Sequence, residues 1–119
     1  MENIDILKAQ IELTISPMDY MALKKQNPES TILVDVRNAP PALKKEKILG
    51  AIDIPLNELE DKLSQLPKDK TIIVYCWDVW CNMAKKASIL LIENGYEVKE
   101  LSGGISAWNT LNLPTESLV

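Results

Sequence analysis

The amino-acid sequence predicts an α/β fold built on a parallel sheet, and three observations carry that expectation. Ile32-Leu33-Val34 and Thr71-Ile72-Ile73-Val74-Tyr75 are short aliphatic and β-branched runs, as strands covered on both faces require. Helix-like segments separate them, which is the alternation that crossover connections produce. A chain of 119 residues that is 46% hydrophobic and 25% charged can bury one core. No repeat, low-complexity tract or Gly/Ser-rich linker divides it, so one domain over residues 1–119 is expected, with its core at about 15–113.

In chain order, an opening strand is expected near Glu12 to Ile15. Ser16-Pro17 then supplies an N-cap and a first-turn proline for a helix that carries Met18 and Leu23 and runs to about Lys25, where Asn27-Pro28 stops it. After the strand at Ile32 comes a short one at Ile52-Asp53-Ile54. A short helix from Asn57 turns Leu59, Leu63 and Leu66 inward, leaves Glu58, Glu60 and Asp61 in solvent, and closes at Pro67. The strand Thr71 to Tyr75 follows. Past Cys81 the clearest helix places Met83, Ala87, Leu90, Leu91 and Asn94 at helical spacing, with Lys85, Lys86 and Glu93 facing away and Gly95 at the left-handed terminus. A strand at Val98 to Leu101, the turn Ser102-Gly103-Gly104, and a last short helix with Ile105, Trp108 and Leu111 end near Pro114. The remaining residues read as a tail.

A formal charge of −4, with acidic and basic residues interspersed, offers no basic stripe for a nucleic acid. No segment approaches the roughly 18 apolar residues of a membrane span, and Met1 to Asp5 resembles no targeting signal, so a soluble cytoplasmic protein is expected. The chain has two cysteines and no histidine. That is too few thiols for a disulfide scaffold, and for a four-ligand zinc site unless carboxylates or a second chain contribute, and no imidazole is present to act as a base. Neither a metal nor a cofactor is expected, and a nucleophile here must be activated by backbone dipoles.

Cys76 is the candidate nucleophile. It ends a predicted strand, and the loop Trp77-Asp78-Val79-Trp80-Cys81-Asn82 leads directly into a helix. Successive N–H groups of that loop, with the positive end of the helix, would cradle an anion and lower the Cys76 pKa. The plainer alternative is a buried, inert thiol at a strand end. Cys81 is either an incidental thiol of the first helical turn or a resolving thiol that closes a disulfide with Cys76. Trp77 and Trp80 either form an apolar rim for an acceptor or partner, or pack against a neighbouring helix. Asp78 is expected to face solvent.

Four segments carry a family resemblance: Leu33-Val34-Asp35-Val36-Arg37, Leu49-Gly50-Ala51-Ile52-Asp53-Ile54-Pro55-Leu56, Tyr75-Cys76, and Leu101-Ser102-Gly103-Gly104-Ile105-Ser106-Ala107-Trp108. In order and spacing they resemble successive signatures of the rhodanese-like family, from about Ile15 to Leu113. The resemblance implies a parallel sheet with helices on both faces. It also implies a cysteine, here Cys76, that takes up sulfane sulfur as a persulfide and passes it to a thiol acceptor. Asp35 and Arg37 match a pair that is structural in such domains, and Arg37, the one arginine of the chain, is expected to anchor a buried carboxylate. The expected partners are a small sulfur donor or a persulfide- or thiol-bearing protein, with the chain a monomer or weak homodimer.

Departures from the family pattern qualify the activity. Rhodanese-like loops usually carry a glycine and then an arginine after the cysteine, whereas this loop has Val79, Trp80 and Cys81 and no cation of its own for thiosulfate. Related phosphatases and arsenate reductases place an arginine six residues after the cysteine, where Asn82 stands here, so phosphatase activity is expected to be weak or absent. The competing reading is a non-catalytic regulatory or redox-sensing module whose tryptophans bind a partner.

Overall fold

The computed structural model describes residues 1–119. Five strands form a parallel sheet in the order β1 (Thr14–Ile15), β6 (Val98–Leu101), β5 (Thr71–Tyr75), β2 (Thr31–Asp35) and β4 (Ile52–Asp53). Both central strands are continuous apolar runs because both faces are covered. Along β5 the pleat sends Ile72 and Val74 to one face and Ile73 and Tyr75 to the other, and Cys76 continues the first set. Ile72 and Val74 pack on α5 (Met83–Glu93) through Ala84, Ala87 and Leu91. Ile73 and Tyr75 pack with Tyr20 of α2 (Pro17–Gln26) and with Ile105 and Trp108 of α6 (Gly104–Thr110). Helices therefore cover both faces, as the resemblance implied.

Local signals explain the helix ends. The Ser16 hydroxyl accepts the Asp19 N–H at 3.0 Å ahead of Pro17, and α2 ends before Asn27. Gly95, at φ +86, closes α5 while the Tyr96 N–H returns to the Leu91 carbonyl at 3.0 Å. The segment expected as one helix from Asn57 is a short turn, α4 (Leu56–Leu59), followed by a 3-10 stretch over Glu60–Gln65. Leu59 and Leu66 are buried and Leu63 packs against the same core. Leu111, expected inward, is exposed, since α6 ends at Thr110.

Three features depart from the sequence reading. Residues before β1 form a helix, α1 (Asn3–Leu13), opened by a capping box between Glu2 and Asp5, and so the opening strand shrinks to Thr14–Ile15. No residue of α1 is buried. Short α3 (Pro41–Lys44) delivers the chain to β3 (Glu46–Ile48). The expected tail is not one: Thr115–Ser117 forms β7, which pairs antiparallel with β3 in a separate two-stranded sheet. That pairing joins residues about seventy positions apart, which no local pattern announces.

Candidate active site

The site is built where β5 and β2 end. The Asp35 carboxylate is buried and takes four groups, the first of them the Arg37 backbone N–H, which donates to Oδ1 at 3.1 Å. Arg37 Nε reaches both of its oxygens at 3.0 and 3.1 Å, Arg37 Nη2 donates to Oδ2 at 2.7 Å, and the Tyr75 hydroxyl donates to Oδ2 at 2.8 Å. Tyr75 in turn accepts the Ile48 N–H at 2.9 Å, and Arg37 Nη2 also donates to the Glu46 carbonyl at 2.6 Å. One buried ion pair thus ties β2, β5 and β3 together beneath the cysteine loop. Burial and the neighbouring Asp35 charge push the Tyr75 phenol well above its ordinary pKa, so its hydroxyl stays a donor. The role of the Tyr75 hydroxyl, and the Lys44 side chain, which pairs with Asp53 at 2.6 Å, were not foreseen from the sequence, since only the fold brings them here.

The loop between β5 and α5 folds back on itself. The Cys81 N–H donates to the Asp78 carbonyl at 3.1 Å, and the Val79 N–H donates to the Asp78 carboxylate at 2.6 Å. Those two N–H groups of the expected Trp77-to-Asn82 cradle are therefore already spent. The backbone N–H groups that favour charge on Cys76 belong to Trp77 and, beyond the loop, to Ala84 in the first turn of α5. The Asn82 side chain caps nothing. Backbone of α6 secures the loop from the other side, with the Ile105 N–H on the Cys76 carbonyl and the Ser106 N–H on the Trp77 carbonyl, both at 3.0 Å. Only glycine fits at Gly104, which sits at φ +58, because a Cβ there would fall 2.4 Å from the Cys76 carbonyl oxygen.

Both cysteines are free thiols and both are buried. Cys76 Sγ donates to the Cys81 carbonyl at 3.5 Å. The expectation of a lowered Cys76 pKa is overturned, since the thiol is pushed up to about 12. Burial is the largest cause, the abutting Cys81 thiol adds to it, and the Ala84 and Trp77 N–H groups only partly offset them. The loop as folded favours the protonated thiol of Cys76. Asp78 does not contribute to this shift and is partly exposed.

The two loop tryptophans part company. Trp77 is half-buried, touches the apolar clusters on both sheet faces, and carries the Arg37 guanidinium 4.5 Å from its ring centre. Trp80 is 70% exposed and Val79 78%, so the loop tip presents apolar surface. Beside it lies a cleft of about 290 Å³ between Trp77, Trp80 and α6.

Residues 18–111 match the family model described as the rhodanese-like domain. The chain belongs to this family. Among relatives of this rhodanese-like domain, a sulfurtransferase of Allochromatium vinosum is 32% identical over 87 residues, covering 72% of the chain and 78% of that protein. An HTH-type transcriptional regulator of Mycobacterium tuberculosis is 34% identical over 116 residues, which cover 94% of the chain and 51% of the regulator. The chain thus spans about half the length of that relative. Among solved structures, a protein from Lactobacillus plantarum superposes with a TM-score of 0.89 at 33% identity, covering 95% of each chain. The rhodanese-like domain of an Anabaena sp. protein superposes at 0.76 with 28% identity, covering 89% of the chain and 80% of its own. Family and relatives together support a sulfurtransferase-like role for this rhodanese-like domain. No helix is long and apolar enough to cross a membrane.

Proposed function

We propose that this rhodanese-like domain is a sulfur carrier that forms a persulfide on Cys76 once its loop opens. One observation supports the reading above the others: Cys76 ends the central strand β5 with the N–H groups of Trp77 and Ala84 favouring negative charge on its sulfur. Loop opening would remove the burial and the Cys81 contact that hold the proton and leave the donors of the strand end and helix start to stabilise a thiolate. The thiolate attacks the sulfane sulfur of a donor. The new S–S bond to Cys76 forms as the donor's own bond to that sulfur breaks, and the donor fragment leaves with the electron pair. An acceptor thiolate then takes the outer sulfur and returns Cys76 as a thiolate. The reaction would proceed in the cytoplasm, with a small sulfur donor or a persulfide- or thiol-bearing protein as partner.

A second reading is favoured by the contact between the two thiols. In it the domain is a redox sensor whose Cys76 and Cys81 close a disulfide when an oxidant takes two electrons. Intact mass separates the two. Wild type, Cys76→Ser and Cys81→Ser are incubated with thiosulfate or a polysulfide and no reductant. A gain of one sulfur that requires Cys76 and survives Cys81→Ser supports the carrier, while loss of two hydrogens that requires both cysteines supports the sensor. No mass change with any donor overturns the carrier.

A further inference from the structure

The cleft beside the loop is a site in its own right, because Cys76 does not line it. Arg37 does, although the residue is 1% exposed. Its Nε and Nη2 are committed to Asp35 and the Glu46 carbonyl. Its Nη1 has no hydrogen-bond partner in the chain, and it is not sealed from solvent, since Thr31 Oγ1 is the sole sealed polar atom without a partner. Nη1 is therefore the one nitrogen of Arg37 left for a ligand, and Arg37 and Ser106 both line the cleft. An acceptor belongs there, because a nearly buried donor without one is costly.

The surrounding charge decides what kind of acceptor. Both cations at the cleft already have a carboxylate of their own, Arg37 in Asp35 and Lys44 in Asp53. Two further carboxylates line the cleft without a cation. The oxygens of Glu46 accept from Asn109 and Thr115, and Asp78 accepts only the Val79 N–H. The cleft is thus net negative around one unused cationic donor. A simple anion would meet Glu46 and Asp78, and a simple cation would leave Nη1 unanswered. A molecule carrying both charges answers both, and the exposed indole of Trp80 favours an ammonium beside Asp78.

We propose that this cleft binds a small zwitterion of the α-amino-acid class, its carboxylate on Arg37 Nη1 and Ser106 and its ammonium toward Asp78. A volume of about 290 Å³ suits so compact a ligand. The inference does not depend on chemistry at Cys76. The probe is accordingly S-methyl-L-cysteine, which has no free thiol, titrated into the full chain by calorimetry and tryptophan fluorescence. Saturable binding is expected, with the N-acetyl derivative and the methyl ester each about tenfold or more weaker, because each lacks one charged contact. Asp78 forms no salt bridge and is partly exposed, so Asp78→Asn should fold normally, bind the probe about tenfold less tightly, and spare the thermal midpoint. Cys76→Ser should bind as wild type does. Absence of saturable binding, equal binding of the N-acetyl derivative or of thiosulfate, or an unchanged affinity in Asp78→Asn would each overturn the proposal.

Discussion

Alkylation of Cys76 by iodoacetamide, followed against pH in the native chain and mapped by mass, should trace a midpoint near 12 instead of the ordinary 9.0. The size of the effect follows directly. At pH 8 a thiol with pKa 9.0 is about one-tenth ionised, whereas one near 12 is ionised in roughly one part in ten thousand, so the native thiol should react about a thousandfold more slowly than the denatured one. The causes can be separated by mutation. Cys81→Ala removes the contact with the second thiol but leaves the burial, and should move the midpoint down and speed alkylation at pH 8. A native rate at pH 8 equal to that in denaturant, or a midpoint at or below 9.0, would refute the claim that the folded loop keeps Cys76 protonated. A midpoint unmoved by Cys81→Ala would remove the second thiol from the explanation.

The same shift links stability to alkaline pH. The unfolded chain loses the Cys76 proton near 9.0 and the folded chain only near 12, so this group favours the folded state fully below pH 9 and progressively less above it. The slope approaches about 1.4 kcal/mol per pH unit within that window, and urea titrations of wild type against Cys76→Ser should show the extra loss only in wild type. Asp35→Asn leaves the Arg37 guanidinium buried without its counter-charge and should cost about 3–5 kcal/mol in the same urea assay. Gly104→Ala puts a Cβ against the Cys76 carbonyl at a positive φ, so it should cost about 1–3 kcal/mol or more and speed alkylation of Cys76 by displacing the loop.

Features written in short stretches of sequence are legible in the chain itself. The parallel strands β2 and β5 show as unbroken apolar runs because each is buried on both faces, and α2 shows because Ser16 and Pro17 act within one turn. Gly95 marks the end of α5 for the same local reason. Three features were not legible. The apolar residues of α1 fall on two opposite faces, Ile4, Leu7 and Ile11 on one and Ile6 and Leu13 on the other, so no single stripe marks it as a helix, although its Glu2–Asp5 capping box is written in the chain. β7 depends on pairing with β3 across most of the chain length. Lys44 and Tyr75 acquire their place only from the side chains that close around Asp53 and Asp35.

The residues by themselves determined the class of fold, the order of its main elements and the position of Cys76 at a strand end, because periodicity, capping and the family signatures all act at short range or in fixed order. The protonation state of that cysteine was decided by tertiary structure alone. Covalent order places N–H groups after Cys76, but whether they face its sulfur depends on how the loop turns. Here Asp78 takes two of them, Cys81 fills the space beside the thiol, and the sheet and α5 exclude water. Desolvation and the contact between the thiols depend on distances through space, and those distances exist only once the chain has packed.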